Sequence, residues 1–358
     1  QAGMGLARVE MGDIVAASSG LEQALSQLPQ GDPMWAMAAE SLAGARLSRG
    51  DVAGAHRLWV ELLELGREMG EGAVHARSMV GLGLISFVRG RISQGRDSLE
   101  NAAFRMRDQT APRMLPEALL RLAELAHVEG RLEAARNLAL EAESVARDLP
   151  RLPLCVAALG LTARCLLDIG VPHEARMIAA DAATMARTLG PVESEMAISC
   201  VLPAAGVLVM LGAYDQAAAI LPNTPPKKED GVGVSDPIGG LLAIKSRIVA
   251  QRNPAVAVAL AGSVLERPPA ALVWAQVRHL VDAAHTLILT GDNRASEAVS
   301  RALEQVGGTG LKLLDMEVGL LAAKLGEHPD AVARANQTLN ALEHALGSPE
   351  GFKARWLN

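Results

Sequence analysis

The histidine and cysteine side chains of this sequence are its candidates for metal binding and nucleophilic chemistry. His279 and His285 are six residues apart, a spacing that turns them to different faces of one helix. Neither the His-Glu-x-x-His motif nor a closely spaced cysteine pair, both typical of zinc sites, occurs in the sequence. The spacing therefore predicts no metal site.

Two glycine-rich segments are candidates for holding phosphate groups. Residues 231–234 read GVGV and residues 307–310 read GGTG, but neither precedes the Lys-Ser/Thr pair of a phosphate-binding loop. The Gly-x-Ser-x-Gly turn that presents a nucleophilic serine is also absent from the sequence. We therefore expect that the chain is not an enzyme and that it carries no cofactor.

The three cysteines are Cys155, Cys165 and Cys200. Cys155 and Cys165 would lie about 15 Å apart on one helix, because each residue adds about 1.5 Å, and this separation rules out a disulfide. An odd number of cysteines without metal-ligand spacing is typical of a reducing compartment. We expect buried, unpaired thiols and a cytoplasmic protein.

The charge balance bears on the class of partner. The net charge is -6 at pH 7, the Lys and Arg residues are scattered singly, and aromatic residues make up 2% of the chain. A nucleic-acid surface needs a basic stripe and commonly uses aromatic side chains that stack on bases. We therefore expect no nucleic-acid partner.

One stretch, residues 196–214, has no charged residue and is nearly long enough to cross a membrane. Pro203, Gly206 and Gly212 interrupt it, so we expect a buried helix and no membrane contact. The chain begins at Gln1 without an initiator Met, and we interpret it as a fragment of a longer protein.

Glycines punctuate the chain at intervals of about forty residues, which indicates internal repeats. The residue seven places before each of these glycines is Ala or Gly, as expected where two helices joined by a tight turn cross closely. A further turn is expected near Asn253, because Asn is the usual substitute for Gly at a left-handed helix end. The repeat glycines are Gly12, Gly50, Gly90, Gly130, Gly170, Gly212, Gly291 and Gly326.

The residues between the glycines recur at helical spacing, and no sustained strand alternation occurs. In a clear example, the second helix of one hairpin is predicted from about Arg131 to Asp148. Residues 1–221 are predicted to form regular repeats, residues 222–240 an irregular loop rich in Pro, Gly and charge, residues 241–346 shorter repeats, and residues 347–358 a cap. The loop is expected to be either an insertion or a joint.

This pattern resembles the tetratricopeptide repeat (TPR). In that family a Leu and a small residue precede the turn Gly, and another small residue begins the second helix. The residues that carry the resemblance are Leu42-Ala43, Leu82-Gly83, Leu122-Ala123, Gly50 with Ala55, Gly130 with Ala135, and Gly170 with Ala175. The resemblance implies an all-α fold, an α–α superhelix (TPR-like solenoid) of about nine helix hairpins that runs as one domain over residues 1–358.

Two features depart from the TPR pattern. The family's aromatic positions are mostly Leu, Ala or Met here, with Trp59 as an exception, and the period is about forty residues instead of about thirty-four. Longer variants are familiar in sensor regions of bacterial signalling ATPases, kinases and large transcription regulators. HEAT-like repeats, which have a similar length, are the alternative.

The resemblance also implies that the first helices line a concave groove that binds a peptide or a partner helix. The Lys and Asn residues of the chaperone-type carboxylate clamp are not matched, so a chaperone tail is not expected. The groove residues obtained by carrying over the family's positions are Arg77, Leu84, Phe87, Glu117, Leu120, Glu124, His127, Arg164, Asp168, Arg278 and His285.

Three functions remain open from the sequence. The first is a non-catalytic module that binds a protein or peptide partner, or another domain of its own parent chain, within a larger bacterial signalling protein. The second is a domain that senses a small effector, and the third is a structural spacer or self-association surface.

Overall fold

The computed structural model describes residues 14–107, 114–149, 151–190, 192, 194–224, 234–349 and 351–357, and their regular secondary structure is entirely helical. The helices in these ranges are α1 (Ile14–Gln27), α2 (Pro33–Ser48), α3 (Val52–Glu68), α4 (Gly72–Val88), α5 (Ile92–Arg107), α6 (Leu115–Val128), α7 (Leu132–Asp148), α8 (Leu152–Ile169), α9 (Pro172–Thr188), α10 (Glu195–Met210), α11 (Tyr214–Ala219), α12 (Pro237–Val249), α13 (Pro254–Glu266), α14 (Val273–Thr290), α15 (Ala295–Val306), α16 (Lys312–Leu325), α17 (Pro329–Ala345) and α18 (Phe352–Leu357).

The helices divide into two compact units. Unit 1 consists of Gln1–Leu119, Lys227–Ser235 and Ala270–Leu272, and unit 2 consists of Leu120–Pro226, Asp236–Pro269 and Val273–Asn358. Within each unit, consecutive helices pair as hairpins. The expectation of one continuous domain is not tested by this division.

Glycine turns close most of these hairpins, as the sequence predicts. A left-handed residue ends a helix without steric cost only when it lacks a Cβ, and the predicted turn glycines in the described residues all have positive φ. They are Gly50, Gly90, Gly130, Gly170, Gly212, Gly291 and Gly326. Gly12 lies outside the described residues.

The turn predicted near Asn253 is present between α12 and α13, but Asn253 does not adopt the left-handed conformation of a helix end. Its φ is -146°, and its side chain accepts a hydrogen bond from the backbone N–H of Val256, so it caps the start of α13. Asn is favoured both at a left-handed helix end and at a helix N-cap. Pro254 at the first position of α13 favours the N-cap role of Asn253, because the fixed φ of proline suits a first helical turn.

The small residues before the turns are buried where two helices of a hairpin meet. A Cβ added to Gly83 would lie 3.0 Å from the Cγ of Leu99, and one added to Gly319 would lie 2.6 Å from the Cβ of Ala335. Larger residues at these positions would push the helices apart, which accounts for the Ala-or-Gly rule in the sequence.

The core of unit 1 is built around two tryptophans. Trp35 on α2 and Trp59 on α3 are buried together with aliphatic residues of α2 to α4. The Trp59 ring packs directly over Gly81 of α4, where any side chain would collide with it.

The core of unit 2 centres on α8, a mostly apolar helix that packs against α7, α9 and α10. A Cβ on Gly160 would lie 2.6 Å from the backbone nitrogen of Ala204, so α8 and α10 approach with no room for a side chain. In the part of the chain that the structure describes, α8 alone is long and apolar enough to cross a membrane, and most of it is buried in the unit. The uncharged residues 196–210 form most of α10, which is a buried helix as the sequence predicts.

The irregular segment is shorter than predicted. Helix α11 has only 6 residues, as expected for the shortened hairpin, but α12 begins at Pro237, inside the predicted loop 222–240. The glycine pair that suggested a loop is buried in the first turn of α12. A Cβ on Gly240 would lie 3.0 Å from Nε2 of His279, so these glycines allow α14 to pack closely.

Candidate functional site

The predicted groove residues of unit 1 contribute mainly to packing and to a local ion pair. Arg77 pairs with Glu40 at 2.8 Å, and Leu84 is partly buried against the core. Phe87 is 1% exposed and its ring packs on Gly95 of the same hairpin. Glu117 is half-buried in the first turn of α6. These four residues do not form a cluster of interacting side chains.

The first predicted residues of unit 2 lie on α6. Leu120 is buried, whereas Glu124 is 30% exposed and pairs with Arg121 at 2.9 Å. Sequence spacing also allowed a pair between Glu117 and Arg121, but the structure joins Arg121 to Glu124 instead.

Asp168, near the end of α8, is the centre of a buried polar cluster. Its Oδ2 accepts hydrogen bonds from Nε of Arg164 at 2.6 Å and from Nε2 of His127 at 2.8 Å. Its Oδ1 accepts from Nε of Arg355 at 3.1 Å, and its backbone carbonyl accepts from Nε1 of Trp356 at 3.2 Å. The Asp168 side chain is 0% exposed, so every oxygen of this residue is satisfied by protein.

Glu317 extends the cluster to α14 and α16. It pairs with Arg278 on α14 and accepts from Nη2 of Arg164 at 3.4 Å. Arg164 therefore connects the carboxylates of Asp168 and Glu317, which are far apart in the sequence. Three of the sequence-predicted residues, His127, Arg164 and Asp168, share one hydrogen-bonded network, and Glu317 joins Arg278 to it.

The arginines keep both carboxylates ionised despite their burial. Burial by itself raises the pKa of Asp168, but the charges of Arg164 and Arg355 and the hydrogen bond from His127 outweigh it and hold that pKa well below its usual range. Burial likewise raises the pKa of Glu317, and Arg278 and then Arg164 lower it to about 2. The network is thus built from charged groups at neutral pH.

The two predicted histidines are neutral. Burial lowers the pKa of His127, and the nearby Asp168 only partly opposes this effect. Because Asp168 is ionised, Nε2 of His127 must carry the proton that it donates. Burial and then the charge of Arg247 lower the pKa of His285 to about 3.

Next to this network, Arg247 of α12 pairs with Asp282 of α14 at 2.6 Å. Together with the first network, the inner helices of unit 2 carry four arginines against three carboxylates, namely Arg164, Arg247, Arg278 and Arg355 against Asp168, Asp282 and Glu317. This set is called the inner charge cluster below. It has an excess of one positive charge.

A separate buried polar group lies at the start of α12. Arg267 donates through Nε to Oδ2 of Asp236 at 2.8 Å. His279 lies close to both Gly239 and Gly240, and burial lowers its pKa to about 4 although Asp236 opposes this effect. This group fixes the first turn of α12 against α14.

Sequence reasoning missed Glu317, Asp282, Arg247 and Arg355. A signal was present for two of them: Asp282 and Glu317 both stand nine residues before a turn glycine, inside otherwise apolar helices. An acidic residue at the same place in two successive hairpins indicates a shared inner face. Arg355 gave no such signal, because it lies outside the repeats.

The inner charge cluster is suited to recognition by charge. Guanidinium groups bind carboxylates with directional, charge-assisted hydrogen bonds, and carboxylates bind guanidinium groups likewise. Within the described residues, no group of three His, Cys, Asp or Glu side chains is placed to hold a metal ion.

Comparison with known proteins identifies the fold. No family model matches the sequence, and no curated protein matches it. Among solved structures, a Rap protein complexed with competence and sporulation factor matches with a TM-score of 0.52 and 13% identity, over 96% of this chain and 86% of that chain. The TPR domain of P58(IPK) matches with a TM-score of 0.27 and 16% identity, over 98% of this chain and 95% of that chain. The chain has the all-α, TPR-like α–α superhelix that the sequence predicts.

Proposed function

We propose that this chain is a non-catalytic interaction module whose binding face consists of the inner charge cluster of unit 2 and Glu124 of α6. The observation that carries the proposal is the network around Asp168, in which charged side chains from α6, α8, α14, α16 and α18 meet. A surface needed only for stability gains little from such groups, because buried ion pairs roughly offset their own desolvation. The same groups select a partner of complementary charge.

The fold supports the same proposal. A Rap protein with this fold was solved in complex with competence and sporulation factor, so a chain of this architecture can hold another molecule. We propose a protein or peptide partner, which another domain of the parent chain could also supply. We further propose a cytoplasmic role in a larger bacterial signalling protein, consistent with three buried cysteines that form no disulfide bond with one another.

The test uses two partly exposed residues, because Arg164 is too deeply paired to be altered without damage to the fold. Glu124 is 30% exposed and Arg278 is 21% exposed. The double variant Glu124→Gln, Arg278→Gln removes one charge of each sign, and we expect affinity for the captured partner to fall about tenfold or more. The measurement is capture from a bacterial lysate with quantitative mass spectrometry, followed by titration of the purified partner.

The matched control is Arg147→Gln. Arg147 forms an i,i+4 pair with Glu143 on α7 and is 60% exposed, and no residue of the inner charge cluster contacts it in the described ion pairs. Because Arg278→Gln leaves Arg164 as the remaining partner of Glu317, the double variant should melt at a lower temperature than the control, and affinities are compared at a temperature where both are folded. A partner that is captured equally by the control and the double variant would refute this binding face.

A second function, sensing of a small effector, is favoured by the excess positive charge. Four arginines face three carboxylates, so a small anionic ligand would balance the cluster. A panel of carboxylate and phosphate metabolites should then raise the melting temperature of the wild type but not of Arg278→Gln. No shift across the panel would leave the protein partner as the only candidate of the two.

A further inference from the structure

Helix α18 contacts unit 2 as a bound peptide contacts a receptor. It belongs to no hairpin, and it packs on α8, α16 and α17 at once. Phe352 is 0% exposed and Trp356 is 7% exposed, and both lie in one apolar cluster with the receiving side chains. The surface that receives α18, called the cradle below, includes Asp168, Ile169, Gly170, Leu313, Met316 and Leu339.

The cradle recognises three features of α18. Two aromatic rings one helical turn apart, at positions 352 and 356, fill its apolar part. The Arg355 guanidinium reaches Oδ1 of Asp168 at 3.0 Å and lies 4.4 Å from the centre of the Trp356 ring. The backbones of Gly170 and Gly351 touch so closely that a side chain at either position would collide with the other.

Part of the charge compensation of Asp168 comes from helices other than α18. Oδ2 of Asp168 is held by Arg164 and His127 whether or not α18 is present, since both belong to other helices. If α18 leaves, Oδ1 and the backbone carbonyl of Asp168 become free acceptors that point into the cradle. A preformed carboxylate beside an apolar surface binds an arginine flanked by an aromatic ring.

The helix α18 and its tether are both short. The helix has 6 residues and is tethered to the end of α17 by the short segment Leu346–Gly351, in which Gly347 and Ser348 both have positive φ. Its one further ion pair, Lys353 with Glu343 at 2.8 Å, involves a lysine that is 47% exposed. Burial lowers the pKa of Arg355, and the charge of Asp168 opposes this effect.

From this geometry we propose that the cradle is a docking site for a helical protein segment of the form Phe-x-x-Arg-Trp, and that α18 is its resident occupant until such a segment displaces it. The inference rests on the proposed interaction function and names the chemistry of the partner. The partner segment presents two aromatic rings at i and i+4 and an arginine at i+3, and it binds in place of residues 352–356.

The test uses the full chain and a fluorescent peptide of residues 346–358, LGSPEGFKARWLN. In the wild type, the tethered α18 competes at an effective concentration on the order of millimolar. The variant Phe352→Ala, Trp356→Ala keeps the chain but empties the cradle, so it should bind the peptide at least about tenfold more tightly than the wild type. Binding should be lost with a peptide carrying Arg355→Glu.

Hydrogen exchange on the wild type provides a second test that needs no variant to fold. The amides of α18 should exchange through a local opening, faster than those at the end of α8 and in α16, and excess peptide should accelerate α18 alone. If α18 exchanges only together with α8 and α16, it is a permanent part of unit 2 and the proposal fails.

Other outcomes are equally decisive. A folded Phe352→Ala, Trp356→Ala variant that binds no peptide would show that the cradle is a structural cap. If light scattering shows that the wild type is a dimer and that the same variant is a monomer, the segment that binds the cradle is the α18 of a second copy and not that of a foreign protein. If the peptide fails to bind while Glu124→Gln, Arg278→Gln still loses its partner, the inference fails and the proposed function stands.

Discussion

Neutralising Glu317 should destabilise unit 2 in a manner that depends on pH. The side chain of Glu317 is 9% exposed and faces both Arg278 and Arg164. Its pKa falls from 4.5 to about 2, a difference worth about 3 kcal/mol of unfolding free energy. The variant Glu317→Gln keeps the shape of the side chain and removes this contribution.

The sign of the pH dependence follows from proton binding. The unfolded chain takes up a proton on Glu317 near pH 4.5, whereas the folded chain resists until about pH 2. The stabilisation is therefore complete above about pH 5 and is lost as the pH falls through these two values. We expect Glu317→Gln to cost about 3 kcal/mol at pH 7 and only about 2 kcal/mol at pH 3.5.

Urea unfolding followed by far-UV circular dichroism measures both values, with the change in midpoint converted through the m-value. The control is Glu297→Gln on α15, where the side chain is 54% exposed and its partner Arg301 is 3.5 Å away. That substitution should cost less than about 1 kcal/mol at either pH. Equal costs for Glu317→Gln at both pH values, or a cost no larger than the control's, would refute the electrostatic account of the cluster.

Three further predictions concern packing, a second titration and thiol reactivity. Gly160→Ala should lower stability by about 1–2 kcal/mol, because the new Cβ would lie 2.6 Å from the Ala204 nitrogen. Gly44→Ala, whose Cβ would have nothing within 4 Å, should raise stability by about 0.5–1 kcal/mol. Thermal melts of both variants measure these changes. The pKa of His279 is about 4 when folded and 6.5 when unfolded, so the wild type should lose about 2 kcal/mol from this residue between pH 7.5 and pH 5. His279→Gln should show a smaller loss in urea titrations at the two pH values, and an equal loss would contradict the assignment. Burial raises the pKa of Cys165, so a thiol reagent at pH 8 should label this residue only after urea is added, as peptide mapping would show.

Much of the fold could be predicted because it depends on local rules. A glycine such as Gly130 ends a helix by adopting a positive φ, and a small residue such as Ala123 lets the next helix pack against it. Both requirements act within one hairpin, so the sequence of that hairpin contains them. The left-handed end expected at Asn253 and the loop expected at Gly240 were wrong because Asn and Gly each suit two kinds of position. Pro254 decides the first case, and the packing of α14 against α12 decides the second.

The candidate site was less predictable, because it depends on which distant helices meet. His127, Arg164 and Asp168 were found by carrying over positions within successive hairpins. Glu317 contacts Arg164 across 153 residues of sequence. The spacing within one repeat gives no information about which distant helices contact each other. Phe87 is the opposite case. Its position in the repeat predicted a groove residue, but the Phe87 ring instead fills the space left by the missing side chain of Gly95.

One double substitution separates the proposed binding role of the inner charge cluster from a contribution to stability. Removing one member of a buried ion pair leaves an uncompensated charge, whereas replacing both members by apolar residues of similar size is often neutral or stabilising. In the variant Arg278→Met, Glu317→Leu, Arg164 retains its pair with Asp168 at 2.6 Å, so no isolated charge remains. We expect its stability at pH 7 to match or exceed that of the wild type while partner affinity falls about tenfold or more. A double variant that is as unstable as Glu317→Gln would instead mean that the pair contributes to the fold itself, and the argument that these charges exist for a partner would fail.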